Sequence, residues 1–115
     1  MSKSILVVED DAMLGDTIVT MLNLLGHKPT LSATYEDACD AINSNTWDVI
    51  LSDYSLGTGT GIDVMKHAIS KNSSAKRIIS SGFEAEQFKD ELKALDAVFW
   101  ISKPYKIEEL VALLK

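Results

Sequence analysis

Ile5-Leu6-Val7-Val8-Glu9-Asp10-Asp11 is the stretch on which the reading of this chain turns. Four consecutive apolar residues, without the alternation of a strand that faces water, read as a strand buried on both faces, and three carboxylates stand at its end. Such a strand needs a sheet covered on both sides. The cover begins at once: Leu14, Ile18, Met21, Leu22 and Leu25 recur at helical spacing, and Gly26 is placed to end that helix.

The same unit repeats outward from this stretch. Lys28 to Ser32 is a weaker strand, and Pro29, which cannot donate to a ladder, places it at a sheet edge. Thr34 with Asp37 predicts the cap of a helix through Asn43 with Ala38, Ala41 and Ile42 inside. Val49-Ile50-Leu51 is the third strand, and Ile62, Met65 and Ile69 mark the helix after it. A polar loop, Lys71 to Lys76, leads to a strand over Arg77 to Ser80, then to a fourth helical face of Ala85, Phe88, Leu92 and Leu95. Val98 to Ile101 is the last strand, and Ile107, Leu110, Val111 and Leu114 form the buried stripe of the last helix. Five βα units predict an α/β fold, a doubly wound (βα)5 parallel sheet with helices on both faces and right-handed crossovers. No boundary or linker interrupts it, so residues 1–115 are expected to be a single domain with no output domain.

The 115 residues are 46% hydrophobic and 24% charged, an ordinary balance for one domain. No apolar run approaches the roughly 20 residues of a membrane span, and the stretch up to Val8 is too short for a secretory signal. A cytoplasmic protein with no membrane association is expected. The lone Cys39 excludes an intramolecular disulfide and reads as packing. A net charge of −6 argues against direct nucleic-acid binding, whose affinity comes from clustered Lys and Arg.

In an open parallel sheet, chemistry gathers beyond the carboxyl ends of the strands. Those ends carry Glu9-Asp10-Asp11, Asp53, Ser81 and Lys103. Packed carboxylates repel one another unless a cation neutralises them, and their hard oxygens select Mg²⁺ when phosphate is the other ligand. Lys103 adds a positive charge and Ser81 a hydroxyl, the remaining parts that phosphoryl transfer needs. Each residue also has a plainer reading: Asp11 as a helix cap, Asp53 as a turn residue, Ser81-Gly82 as an ordinary turn, Lys103-Pro104 as a helix start. Their coincidence at four strand ends favours the site. Gly57-Thr58-Gly59-Thr60-Gly61 lacks the ending of a P-loop and reads as flexible turn chemistry. His27, His67 and Trp47 read as structural.

With these residues in order, the chain resembles response-regulator receiver domains over essentially its whole length. The matching segments are Ile5 to Asp11, Val49 to Asp53, Ile78 to Gly82 and Trp100 to Tyr105. The resemblance implies the flavodoxin-like receiver fold with strand order 2-1-3-4-5, an order that general accounts of this fold give for the chemotaxis receiver. It implies Asp53 as phosphoacceptor, with Mg²⁺ held by Asp10, by Glu9 through water, by Asp53 and by the carbonyl of Ser55. It also implies Ser81 as the switch hydroxyl, Lys103 as the lysine that pairs with the phosphoryl group, Trp100 as the switch aromatic and Pro104 as a cis-proline. The implied partner is a histidine kinase or histidine phosphotransfer protein. No small molecule beyond phosphoryl and Mg²⁺ is implied, and no reaction beyond the chain's own phosphorylation and dephosphorylation. The output surface would be the fourth helix, last strand and last helix, about Glu84 to Leu95, Val98 to Ile101 and Lys106 to Lys115.

Three departures from the family stand out. Leu56-Gly57 replaces Met-Pro after the acceptor, which predicts a more mobile loop; a glycine is missing from Leu95-Asp96-Ala97; and the switch aromatic is Trp. An aspartate-nucleophile phosphatase would instead place a DxD pair at the end of strand one, and an acidic pocket would repel the phosphate of a flavin.

Overall fold

Gly26 ends the first helix where the sequence places it: at φ 87° it adopts backbone that residues with a Cβ avoid. The computed structural model describes residues 2–95 and 97–115. The elements are β1 (Ser4–Val8), α1 (Ala12–Leu24), β2 (Lys28–Ser32), α2 (Tyr35–Ser44), β3 (Val49–Asp53) and α3 (Gly61–Ser70). They continue as β4 (Lys76–Ser81), a 3₁₀ turn (Ala85–Phe88), α4 (Lys89–Lys93), β5 (Val98–Ser102) and α5 (Ile107–Leu114). Asp96, the middle of the Leu95-Asp96-Ala97 departure, lies outside the described residues. Ala97 takes the left-handed conformation at φ 46°.

Among the described residues one sheet of five parallel strands runs in the order β2-β1-β3-β4-β5. Pro29 lies on the edge strand, opposite Ile5. The central strands bury both faces, and their two-residue period divides the core into two layers. Leu6, Val8, Ile50 and Ile79 pack with Ala38, Ile42, Ile62 and Met65 of α2 and α3. Ile5, Val7, Val49, Leu51 and Ile78 pack with Ile18, Leu22, Leu110 and Leu114 of α1 and α5.

Two expectations change. Leu25 is the residue after α1, not part of its buried face, and stays exposed. The fourth helix is not one continuous helix: a 3₁₀ turn precedes a five-residue α4, and neither has a fully buried residue. The run Lys89-Asp90-Glu91 has nothing to bury, so only Phe88, Leu92 and Leu95 reach the rim of the core. No helix among the described residues is long and apolar enough to cross a membrane.

Candidate functional site

The acidic triplet at the end of β1 divides its work three ways. Asp11 caps α1, its Oδ1 accepting from the amide of Leu14 at 3.1 Å, as its plainer reading had it. Glu9 turns inward and is only 3% exposed. Its amide extends the ladder to Ser32 O at 3.0 Å. Its carboxylate accepts from the Asp11 amide at 3.1 Å and from Lys103 Nζ at 3.4 Å. Asp10, between them, stays exposed at the mouth of the site.

The register brings the other strand ends level, Asp53 beside Ser80 and Ser81 beside Ser102. Asp53 Oδ1 accepts from the amide of Tyr54 at 2.9 Å and pairs with Lys103 Nζ at 3.0 Å. Gly61 makes this placement possible: a Cβ there would lie 2.7 Å from Asp53 O, so only glycine lets α3 start against the end of β3. Thr60 and Asp63 form a capping box on that helix. Ser81 is buried, and its Oγ accepts from the amide of Phe83 at 2.9 Å. The Lys103-Pro104 peptide bond is cis.

Oxygens of Glu9, Asp10 and Asp53 lie within 4.8 Å of one another. This all-oxygen, all-carboxylate donor set suits a hard divalent cation, and the repulsion within it is what such an ion relieves. Burial raises the Glu9 pKa above the ordinary carboxylate range; the Asp11 amide opposes this, the charge of Asp53 adds to it, and Lys103 opposes it. Burial works against the Lys103 ammonium, but hydrogen bonding and charge from Asp53, and then from Glu9, outweigh it and raise its pKa. Lys103 is therefore charged at neutral pH.

Trp100 is tied into an aromatic group that sequence reasoning passed over. Its ring stacks on Phe88 at 5.6 Å and lies 6.2 Å from Tyr54, and its Nε1 donates to Phe83 O at 3.1 Å. Tyr54 packs on Phe88 at 4.5 Å, and Phe83 stands edge-on to both rings while remaining 51% exposed. Tyr54 follows Asp53 and Phe83 follows Ser81 by two residues, spacings that could have flagged them. Trp47, His27 and His67 lie outside the site. Trp47 donates to Ala41 O at 3.0 Å, His27 accepts from the Lys3 amide at 3.1 Å, and His67 pairs with Asn43 at 2.8 Å.

Residues 5–115 match the family model described as the response regulator receiver domain. The chain is 32% identical over 120 residues to the phosphate regulon transcriptional regulatory protein PhoB of Escherichia coli, covering 100% of this chain and 51% of that protein. It is 30% identical over 115 residues to the regulatory protein VirG of Agrobacterium tumefaciens, covering 98% of this chain and 42% of that protein. The chain thus spans about half the length of these relatives. Among solved structures, the receiver domain of a Francisella response regulator superposes with TM-score 0.87 at 27% identity, covering 97% of this chain and 93% of that one. The receiver domain of the sensor histidine kinase PA1611 of Pseudomonas aeruginosa, solved with a magnesium ion in its active site cleft, superposes with TM-score 0.83 at 23% identity, covering 99% of this chain and 95% of that one.

Proposed function

The chain belongs to the response-regulator receiver family, and from that premise we propose that Asp53 is its phosphoacceptor and that Glu9, Asp10, Asp53 and the Ser55 carbonyl hold Mg²⁺. The observation that carries the reading is the meeting of three carboxylates with Lys103, whose Nζ stands 3.0 Å from Asp53 Oδ1. The described hydrogen bonds of the Asp53 carboxylate fall on Oδ1, and Oδ2 is the oxygen we assign to attack. A phosphohistidine of a histidine kinase or histidine phosphotransfer protein is the donor. The new O–P bond forms on Asp53 as the P–N bond breaks, and the imidazole leaves and takes up a proton.

Lys103 holds positive charge where the transferred oxygens arrive, and Ser81 offers its hydroxyl to one of them. When bound, Mg²⁺ supplies further neutralisation of those oxygens. The chain catalyses its own transfer and its own slow hydrolysis; its product is a changed conformation. Ser81 drawn toward the phosphoryl group pulls Phe83 against its hydrogen bond to Trp100, whose ring is released to move once that bond gives way. The output face is α4, β5 and α5. Its support is the weak anchoring of α4, a five-residue helix without a buried side chain.

The negative charge argues against a nucleic-acid interface on these 115 residues themselves. Two relatives about twice as long are nonetheless regulatory proteins, one of them transcriptional. Gene control through other residues of a longer protein is consistent with both facts.

Acetyl phosphate with Mg²⁺ tests the acceptor. Intact mass should rise by one phosphoryl group in the wild type and not in Asp53→Asn. Equal modification of the two proteins would falsify the assignment.

A further inference from the structure

The glycine-rich loop after β3 reads as flexible turn chemistry, but it folds as a closed miniature hairpin. Gly61 N donates to Tyr54 O at 2.7 Å, Ser55 bridges Thr60, and Leu56 N donates to Gly59 O at 3.1 Å. At the tip Thr58 N turns back to Leu56 O at 2.9 Å around Gly57, whose φ is 78°. Leu56 is buried and anchors one arm. The departure from the family's Met-Pro therefore gives a tight turn here.

The tip lies between the acidic site and α2. A Cβ on Gly57 would come 3.8 Å from Asp10 Oδ2. On the other side Thr58 Oγ1 donates to Glu36 Oε1 at 3.0 Å. Gly59 packs so closely under Tyr35 that a Cβ would lie 3.1 Å from Tyr35 Cγ and 3.2 Å from its Cβ. The neighbouring Cys39 thiol, followed by burial, pushes the Tyr35 phenol pKa up to about 12.

We propose that Tyr35 and Glu36, in the first turn of α2, are positioning residues for the metal-binding loop: they hold the hairpin tip and thereby the Ser55 carbonyl at the acidic site. The inference rests on the reading that Asp10, Asp53 and Ser55 take Mg²⁺. A carbonyl ligand on a free glycine-rich loop must be ordered when the ion binds, and that lost freedom weakens affinity. A loop tethered beforehand has less to lose.

The test is calorimetric titration of the 115-residue protein with Mg²⁺, with folding checked by thermal melting. Glu36→Ala and Thr58→Val should each weaken binding roughly three- to fivefold, the scale of one exposed hydrogen bond, whereas Glu36→Gln, which keeps an accepting oxygen, should not. Thr58→Ser should keep wild-type affinity, and the double variant should be no weaker than either single one, because both remove one bond. Gly59→Ala, which forces Tyr35 and the tip apart, should weaken binding further.

Wild-type affinity in Thr58→Val overturns the proposal. So does a loss in Glu36→Gln as large as that in Glu36→Ala that vanishes at high salt, since charge alone would then act. Unchanged affinity in Gly59→Ala removes Tyr35 from it, and if that variant does not fold, the Val and Ser variants of Thr58 decide. Asp10→Ala separates the two levels. If it binds Mg²⁺ as the wild type does, the metal assignment has failed; if it loses binding while Thr58→Val does not, only the positioning role has.

Discussion

Trp100→Phe is the change that most directly examines how the site speaks to its surroundings. Phe83 is held at both ends of one residue: its amide donates to Ser81 Oγ at 2.9 Å, and its carbonyl accepts from Trp100 Nε1 at 3.1 Å. A phenylalanine or tyrosine at position 100 has no indole N–H, so this second link belongs to tryptophan. On the proposed role of Ser81, moving it toward a phosphoryl group would pull on Phe83, and the indole would resist. Phenylalanine keeps the stacking on Phe88 but loses the hydrogen bond, which in this half-exposed setting stabilises by about 1 kcal/mol. If that bond breaks in the switched state, its removal favours that state about fivefold, so a population of about 1% becomes roughly 5%.

Amide chemical shifts of Ser81, Phe83 and the β5 residues measure this. Positions in the free protein are compared with those reached with beryllofluoride and Mg²⁺, an acyl-phosphate mimic. The free Trp100→Phe protein should lie further along the line toward the beryllofluoride end point than the wild type. Trp100→Tyr should behave like Trp100→Phe. Shifts that stay in place, or that move away from the end point, refute the view that Trp100 restrains the switch.

Three further outcomes are expected. Gly61→Ala should destabilise the protein by roughly 1–3 kcal/mol, because its Cβ would stand 2.7 Å from Asp53 O and backbone must move; a wild-type melting temperature would show that the contact is easily relieved. Glu9→Gln should raise the melting temperature of the metal-free protein at neutral pH. The raised Glu9 pKa means that its contribution is fully present below the unfolded value and lost as pH rises through the folded one, so the gain should fade on acidification below about 4.5 and shrink with saturating Mg²⁺. Lys103→Met should slow phosphorylation by acetyl phosphate about a hundredfold, yet bind Mg²⁺ at least as tightly, since the ammonium competes for Glu9 and Asp53. Weaker Mg²⁺ binding in Lys103→Met would contradict that competition.

Much of this molecule is legible in its sequence. Ile5 to Val8 and Val49 to Leu51 read as buried strands, Thr34 and Gly26 as helix boundaries, and Pro29 as the mark of an edge, because caps, turns and periods act over three or four residues. The strand order came from family resemblance, since alternation alone does not rank parallel strands. Tertiary structure decided the rest. Glu9, Asp10 and Asp11 are equal as letters, yet one is buried on Lys103, one is exposed and one caps a helix. Glu9 and Lys103 stand 94 residues apart in sequence and meet only through the sheet register. The fourth helix broke because its apolar residues found only the rim of the core, and the glycine loop closed on its own backbone, with its tip meeting Glu36 and Tyr35 of α2. Local signals set what each segment becomes; which side chains then touch depends on how separate segments pack, and no spacing along the chain encodes that distance.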